Sequence, residues 1–286
     1  MLQQHNIAVM GNSELGRIHI KLLQRLPHVR IKPIDGDLPE EADAFVIAEK
    51  TANAMLFLQA IAKTGKPVIF LQPELNSAEL DKLNPTIKLQ PGFKRRFDPH
   101  FLHVKEKITL GVLGQAHVVK MTNRYQQKNS PHHPVITLHD VDMARFITGQ
   151  EVKEVFAMQS QLNEVETVVA TLKMENNMLV TINASCQDEY DQRLEVFGEQ
   201  GALVVDNVCK TTTHYFSAAG VLSEKPFANS LERYQQAFNL QLEAFLNCVT
   251  QPEKEMAAGL KELSAAVRLS EAIQQSIRDN KLIKMI

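Results

Sequence analysis

The chain has 286 residues, 44% hydrophobic and 22% charged, enough for about two folded domains with a sizeable core and too apolar for a disordered or fibrous polymer. A net charge of −2 and a pI near 6.6 leave no basic footprint for nucleic acid or an anionic membrane, and neither is expected as a partner. No apolar run approaches the ~18 to 20 residues of a membrane span, MLQQHNIAVM lacks a leader pattern, and Cys186, Cys209 and Cys248 have no Cys-x-x-Cys spacing, so free thiols in the cytoplasm are expected.

Ile7 to Met10 is an apolar β run ending at Gly11, after which Leu15, Ile18, Leu22, Leu23 and Leu26 recur at helical spacing. The turn between them, GNSELG, has the layout of the dinucleotide-binding G-x-G-x-x-G. There the first glycine permits the bend, the second lets backbone approach a pyrophosphate, and the third lets helix pack on strand. Gly11 and Gly16 fill the outer places and Ser13 the middle one, where its side chain is expected to crowd the pyrophosphate. On this reading Ser13→Gly tightens cofactor binding. Val29 to Asp35 is a second strand, and Asp35 is placed to bind the adenosine ribose hydroxyls and to disfavour a 2′-phosphate. Ala44 to Ala48 is a third strand, Thr51 to Thr64 a helix closed by Gly65, and Pro67 to Leu71 a fourth strand, the alternation of a parallel, doubly wound sheet. About eight residues separate Asp35 from the third strand, too few for a crossover helix plus a strand, so the sheet is expected to be abbreviated on that side. The basic run Lys94, Arg95, Arg96 reads as a solvated loop or helix start.

From about residue 110 longer alternating stretches follow: 116–123, 155–162, 167–174, 178–185, 193–197, 202–205 and 211–216. Turns such as Glu175-Asn176-Asn177 suit a mostly antiparallel sheet, and a helical tail runs from about Leu231 to Lys281 with an apolar face of Phe238, Leu242, Phe245, Leu246 and Val249. The expected architecture is α/β: an abbreviated Rossmann-type parallel-sheet domain over residues 1–100, then an α/β domain with a large, mostly antiparallel open sheet over 101–286.

With the first turn, three segments carry a resemblance: QPGFKRRFDP (Gln90 to Pro99), LHDVDMARFITG (Leu138 to Gly149) and YDQRLEVFGEQGAL (Tyr190 to Leu203). In this order, over nearly the whole chain, they make the sequence resemble the glucose-fructose oxidoreductase and inositol dehydrogenase family (Gfo/Idh/MocA), nearest its inositol 2-dehydrogenase branch. The resemblance implies hydride exchange between NAD(P) and a polyol or sugar, and an open sheet that serves as an oligomer interface, so a dimer or tetramer is expected.

The chain departs from the family pattern at several places. The family's Glu-Lys-Pro, whose lysine contacts substrate and nicotinamide, reads here Leu71-Gln72-Pro73, and glutamine hydrogen-bonds a hydroxyl without supplying positive charge. Glu49-Lys50 and Glu224-Lys225-Pro226 do not follow that strand and read as chance matches. The family's histidine matches His139, a general-base candidate, but the aspartate four residues before it is Val135. Read without the family, His139, Asp140 and Asp142 form a capped, solvated helix start. An arginine expected eight residues before Arg193 is Ser185. The resemblance points to Tyr190, Arg193 and Asp142 as substrate contacts, against a structural reading of Tyr190 to Arg193 as a turn held by an ion pair. Lys50 is a candidate phosphate contact, and exposure is its default. His132, His133, His139 and Asp142 have no regular metal-ligand spacing, so no metal is expected. The cofactor expected at Gly11, Ser13, Gly16 and Asp35 is NAD(H), weakly bound. The protein is expected to be either a degenerate member with a binding or regulatory role, or an active dehydrogenase of an inositol or sugar using His139, with Gln72 in the lysine's place.

Overall fold

A computed structural model describes residues 4–34, 36–48, 54–73, 75–126, 136–187 and 189–285. The chain divides into two compact units, one of residues 1–97 with 236–268 and one of 98–235 with 269–286.

The first unit contains β1 (His5–Met10), α1 (Glu14–Gln24), β2 (Val29–Pro33), β3 (Ala44–Ile47), α2 (Ala54–Thr64), β4 (Val68–Phe70), α3 (Ser77–Leu80) and β5 (Leu89–Pro91), followed by a 3-10 turn over Lys94–Phe97. Its strands form a parallel sheet in the order β2-β1-β3-β4-β5. The inner strands are apolar on both faces, as parallel strands covered on two sides must be: Ile7, Val9, Ala44, Val46 and Ile69 are buried on one face and Ala8, Phe45, Ile47, Val68 and Phe70 on the other. β2 is an edge, and among the described residues no helix or strand falls between it and β3, so the sheet is abbreviated on that side.

The second unit contains α4 (Pro99–Thr109), β6 (Ala116–Gln126), α5 (Leu138–Thr148), β7 (Val152–Leu162), β8 (Val165–Met174), β9 (Leu179–Gln187), β10 (Asp191–Gly198), β11 (Gly201–Val205), the hairpin β12 (His214–Ser217) with β13 (Gly220–Ser223), and α6 (Ser230–Arg233). Three elements follow: α7 (Gln235–Thr250), α8 (Leu260–Asp279) and β14 (Ile283–Lys284). The large sheet has the order β11-β10-β6-β9-β8-β7-β14 and is antiparallel except for the β6–β9 pair.

Residues 236–268 lie in the first unit, not in the second as chain order suggests. The physical reason is the α7 face read from the sequence: Leu242, Phe245 and Leu246 are buried in one cluster with Ile7, Val9 and Ile69. The sequence reading passes over β5, whose Leu89-Gln90-Pro91 lacks the apolar run that marks β4, and over α4, announced by Asp98-Pro99 as an N-cap followed by proline at the first helical position. The basic run forms a 3-10 turn that is only partly solvated, with Lys94 and Arg96 half-buried. Arg95 is 3% exposed, and the Arg96 guanidinium donates to the Ala257 carbonyl at 3.1 Å.

Candidate functional site

The turn after β1 is built as a nucleotide turn requires. Gly11 has φ +121°, open to glycine and strained for other residues. A Cβ at Gly16 would stand 2.6 Å from the Gly11 carbonyl oxygen and 3.5 Å from the Ala48 Cβ, so only glycine lets α1 approach β1 and β3 this closely. Ser13 is the N-cap of α1: its hydroxyl accepts from the Gly16 amide at 3.1 Å and donates to the Ala48 carbonyl at 2.9 Å, while its own carbonyl accepts from Arg17 at 2.9 Å. The side chain therefore fastens the turn to the end of β3 and satisfies one of the amides that a first helical turn leaves without a partner. Asp35 and Lys50 lie outside the described residues.

One turn further on, His19 is fully buried, and its Nδ1 lies 2.9 Å from the Leu15 carbonyl. That carbonyl can only accept, so Nδ1 carries the proton and Nε2 keeps a lone pair facing the interior. Burial pushes the pKa from 6.5 to about 4, with a small further push from the Lys94 charge. The ring meets Phe238 of α7 edge-on, with centroids 5.5 Å apart.

Gln72 stands two residues past the end of β4, half-buried, where the Leu71 amide donates to the Ile47 carbonyl at 2.9 Å. β4 and β5 end in register, Phe70 beside Pro91, and a Cβ on Gly92 would fall 2.3 Å from the Leu71 carbonyl oxygen. The chain is thus pinned on both sides of Gln72's approach. On β5 itself Gln90 Nε2 donates to the Gln241 carbonyl at 3.4 Å, and Gln241 Nε2 donates to the Pro91 carbonyl at 3.2 Å.

In the second unit His139 sits half-buried in the first turn of α5. The start of that helix is fixed by Asp140, whose carboxylate accepts from the Thr137 amide at 2.7 Å, the Thr137 hydroxyl at 2.9 Å and the Tyr125 hydroxyl at 2.7 Å. The helix start is capped but not solvated: Asp140 is 0% and Asp142 1% exposed, and because residues two apart lie on different sides of a helix, α5 is buried nearly all round. Val135, His132 and His133 lie outside the described residues. Among the described residues no group of three His, Cys, Asp or Glu side chains could hold a metal ion.

Tyr190 and Arg193 separate by role. Tyr190 is buried, and its hydroxyl donates to Gln192 Oε1 at 2.9 Å. Gln192 also accepts from the Tyr234 hydroxyl and donates to Asn123 Oδ1 at 3.1 Å, while Asn207 Nδ2 donates to the Tyr190 carbonyl at 3.1 Å. Arg193 faces outward and donates from Nε to Asp191 at 2.9 Å, the ion pair expected at this turn. Ser185 pairs in register with Arg124 of β6, which is exposed and directly opposite Asp191 of β10. Sequence reasoning does not reach this network, because Asn123 and Gln192 meet through the β6–β10 pairing and Tyr234 joins them from the end of α6, 42 residues beyond Gln192. The same holds for Asp98, buried at 1% exposure, whose carboxylate receives both terminal nitrogens of Arg233 and caps α4 through the His100 amide at 3.0 Å.

Residues 101–204 match the GFO/IDH/MocA C-terminal domain. A myo-inositol 2-dehydrogenase of Thermotoga maritima is 32% identical, over 85% of this chain and 80% of that protein. This chain belongs to the Gfo/Idh/MocA family. Among solved structures similar to this member of the family, a probable dehydrogenase from Thermotoga maritima has a TM-score of 0.88 at 28% identity, covering 98% of both chains. The scyllo-inositol dehydrogenase of Lactobacillus casei, solved with bound NAD(H) and scyllo-inositol, shares the fold at a TM-score of 0.87 and 18% identity, over 99% of both chains. The inositol dehydrogenase branch and the two-sheet α/β architecture are thereby established for this chain, and Gfo/Idh/MocA is an oxidoreductase family.

Proposed function

We propose that this chain binds NAD(H) and a polyol or sugar, and that its standard dehydrogenase turnover is weak or lost, leaving a ligand-binding or regulatory role. The observation that carries the reading is Gln72 past the end of β4, where the family resemblance places a lysine. Its amide donates and accepts hydrogen bonds but cannot hold a developing alkoxide by charge. The turn fits a dinucleotide: Gly11 is free to bend, Gly16 brings α1 against the sheet, and the start of α1 is a positive helix end. NAD(H), when bound, supplies the hydride donor or acceptor for interconverting an alcohol and a carbonyl. Asp35 supports NAD(H) over NADP(H), and the edge position of β2 supports weak binding. Arg193 and Arg124, both outward-facing, are the side chains on this sheet best suited to a hydroxylated ligand, whereas Tyr190 and Asp142 support the frame.

A second reading, an active NAD(P)-dependent dehydrogenase of an inositol or sugar, is favoured by the rigidly built start of α5 that presents His139. On that reading the imidazole takes the hydroxyl proton, and Gln72 positions the alcohol. Titrating NADH and NADPH by fluorescence, then screening inositols and sugars at the nicotinamide absorbance, separates the two: binding without turnover supports the first, and turnover on the order of 1 per second or faster supports the second.

The same proposal includes a cytoplasmic homo-oligomer, dimer or tetramer. The compartment is supported by the free Cys186, Cys209 and Cys248, and the oligomer by the open seven-stranded sheet, which the family resemblance makes an interface. Light scattering that shows a monomer at every concentration would remove the oligomer.

A further inference from the structure

On the motif alone Ser13 is a damaged glycine. The geometry points to a different role: we infer that the Ser13 hydroxyl is a clamp that preorganises the cofactor turn, so that restoring glycine loosens nucleotide binding. This rests on the nucleotide-binding reading above. The hydroxyl has one proton and two lone pairs; the proton goes to the Ala48 carbonyl at 2.9 Å and one lone pair to the Gly16 amide at 3.1 Å. Its partners lie three residues ahead on α1 and thirty-five residues ahead at the end of β3, so one side chain ties the turn, the helix and the neighbouring strand together.

The clamp acts where the backbone most needs it. Gly11 is at φ +121°, and Gly16 touches Gly11 so closely that a Cβ would stand 2.6 Å from its carbonyl oxygen. Two glycines in a six-residue turn leave a large conformational ensemble for a ligand to order, and a binding-competent state populated only in part weakens apparent affinity by that fraction. A third glycine would enlarge the ensemble further. The clamp has a cost as well: the Gly16 amide, engaged by Ser13, is withdrawn from any phosphate. Ser13 thus exchanges one backbone donor for a turn already set in shape, and it is a positioning residue.

Three variants of the full chain decide the matter, with NADH titrated by fluorescence at a temperature where circular dichroism shows all of them folded. Loss of the clamp predicts that Ser13→Ala and Ser13→Gly each weaken NADH binding by about fivefold, while Ser13→Thr, which keeps the hydroxyl, stays within about twofold of wild type. Crowding by the side chain predicts the reverse: Ser13→Gly tighter than wild type and Ser13→Ala unchanged, a result that overturns the proposal. Amide hydrogen exchange at Gly16 in the nucleotide-free protein supplies the second readout and should quicken in Ser13→Ala and Ser13→Gly. If wild type binds no NADH, the nucleotide reading fails; unchanged Gly16 exchange in Ser13→Ala would overturn the clamp itself.

Discussion

Two places in the first unit depart from the family pattern, the turn after β1 and the end of β4, and they are mended unequally. At the turn Ser13 stands where the family resemblance places a glycine, and its hydroxyl makes two hydrogen bonds that hold the backbone. At the end of β4 Gln72 stands where the resemblance places a lysine, on a frame that Gly92 and the Leu71 amide keep in place. A backbone shape can be reached by more than one set of bonds. A positive charge beside a reacting oxygen has no neutral equivalent. The difference predicts that binding and turnover part company in this protein.

The largest effect should come from a change outside both places, as a test that the frame is what the comparison assumes. Asp98→Ala leaves the Arg233 guanidinium buried without its carboxylate and removes the cap of α4, and denaturant unfolding should show a loss of about 3–5 kcal/mol. A loss below about 1 kcal/mol would mean that the second unit does not depend on this pair.

Next in size is a pH effect on the helix that carries the turn. His19 has a folded pKa of about 4 against 6.5 unfolded, so between these values the unfolded chain binds more protons and stability rises with pH. The stabilisation is complete above about pH 6.5 and falls away through the window down to pH 4, by about 3 kcal/mol in all. Unfolding curves from pH 7.5 to 4.5 should show that slope, and His19→Gln should flatten it; a slope unchanged in the variant would assign it to other groups.

Restoring charge sharpens the comparison from the other side. Gln72→Lys with Val135→Asp, two positions that the family resemblance assigns to one catalytic set, should raise turnover on an inositol by about 10²-fold, with little gain from either change alone. Equal gains from the single variants would show that the two positions are independent. The smallest effect belongs to the turn: Ser13→Ala should cost about 1 kcal/mol of stability, as the loss of an N-cap does. No loss at all would mean that the cap bond is matched by water.

Much of this frame is legible in the sequence. The period of the apolar residues marks β1, β3, β4 and the long strands of the second unit, and the short link after Asp35 foretells an edge at β2. The face of α7 is legible too, but not its destination, since Phe245 and Leu246 are apolar whichever sheet they cover. Ser13 reads in the sequence only as a lost glycine; its role as the cap of α1 is seen in the structure, through the Gly16 amide and the Ala48 carbonyl. The Asp140 network and the Asp98–Arg233 pair join residues 15 and 135 positions apart, and no local spacing signals them.

The separation of binding from turnover is tested most directly by steady-state kinetics of the wild-type chain with saturating NAD⁺ and a panel of inositols, beside an NADH titration of the same preparation. The account predicts that NADH binds and that every inositol turns over more slowly than about 0.01 per second. Oxidation of any of them at about 1 per second or faster would contradict it and would make Gln72 a substrate-positioning residue of a working dehydrogenase.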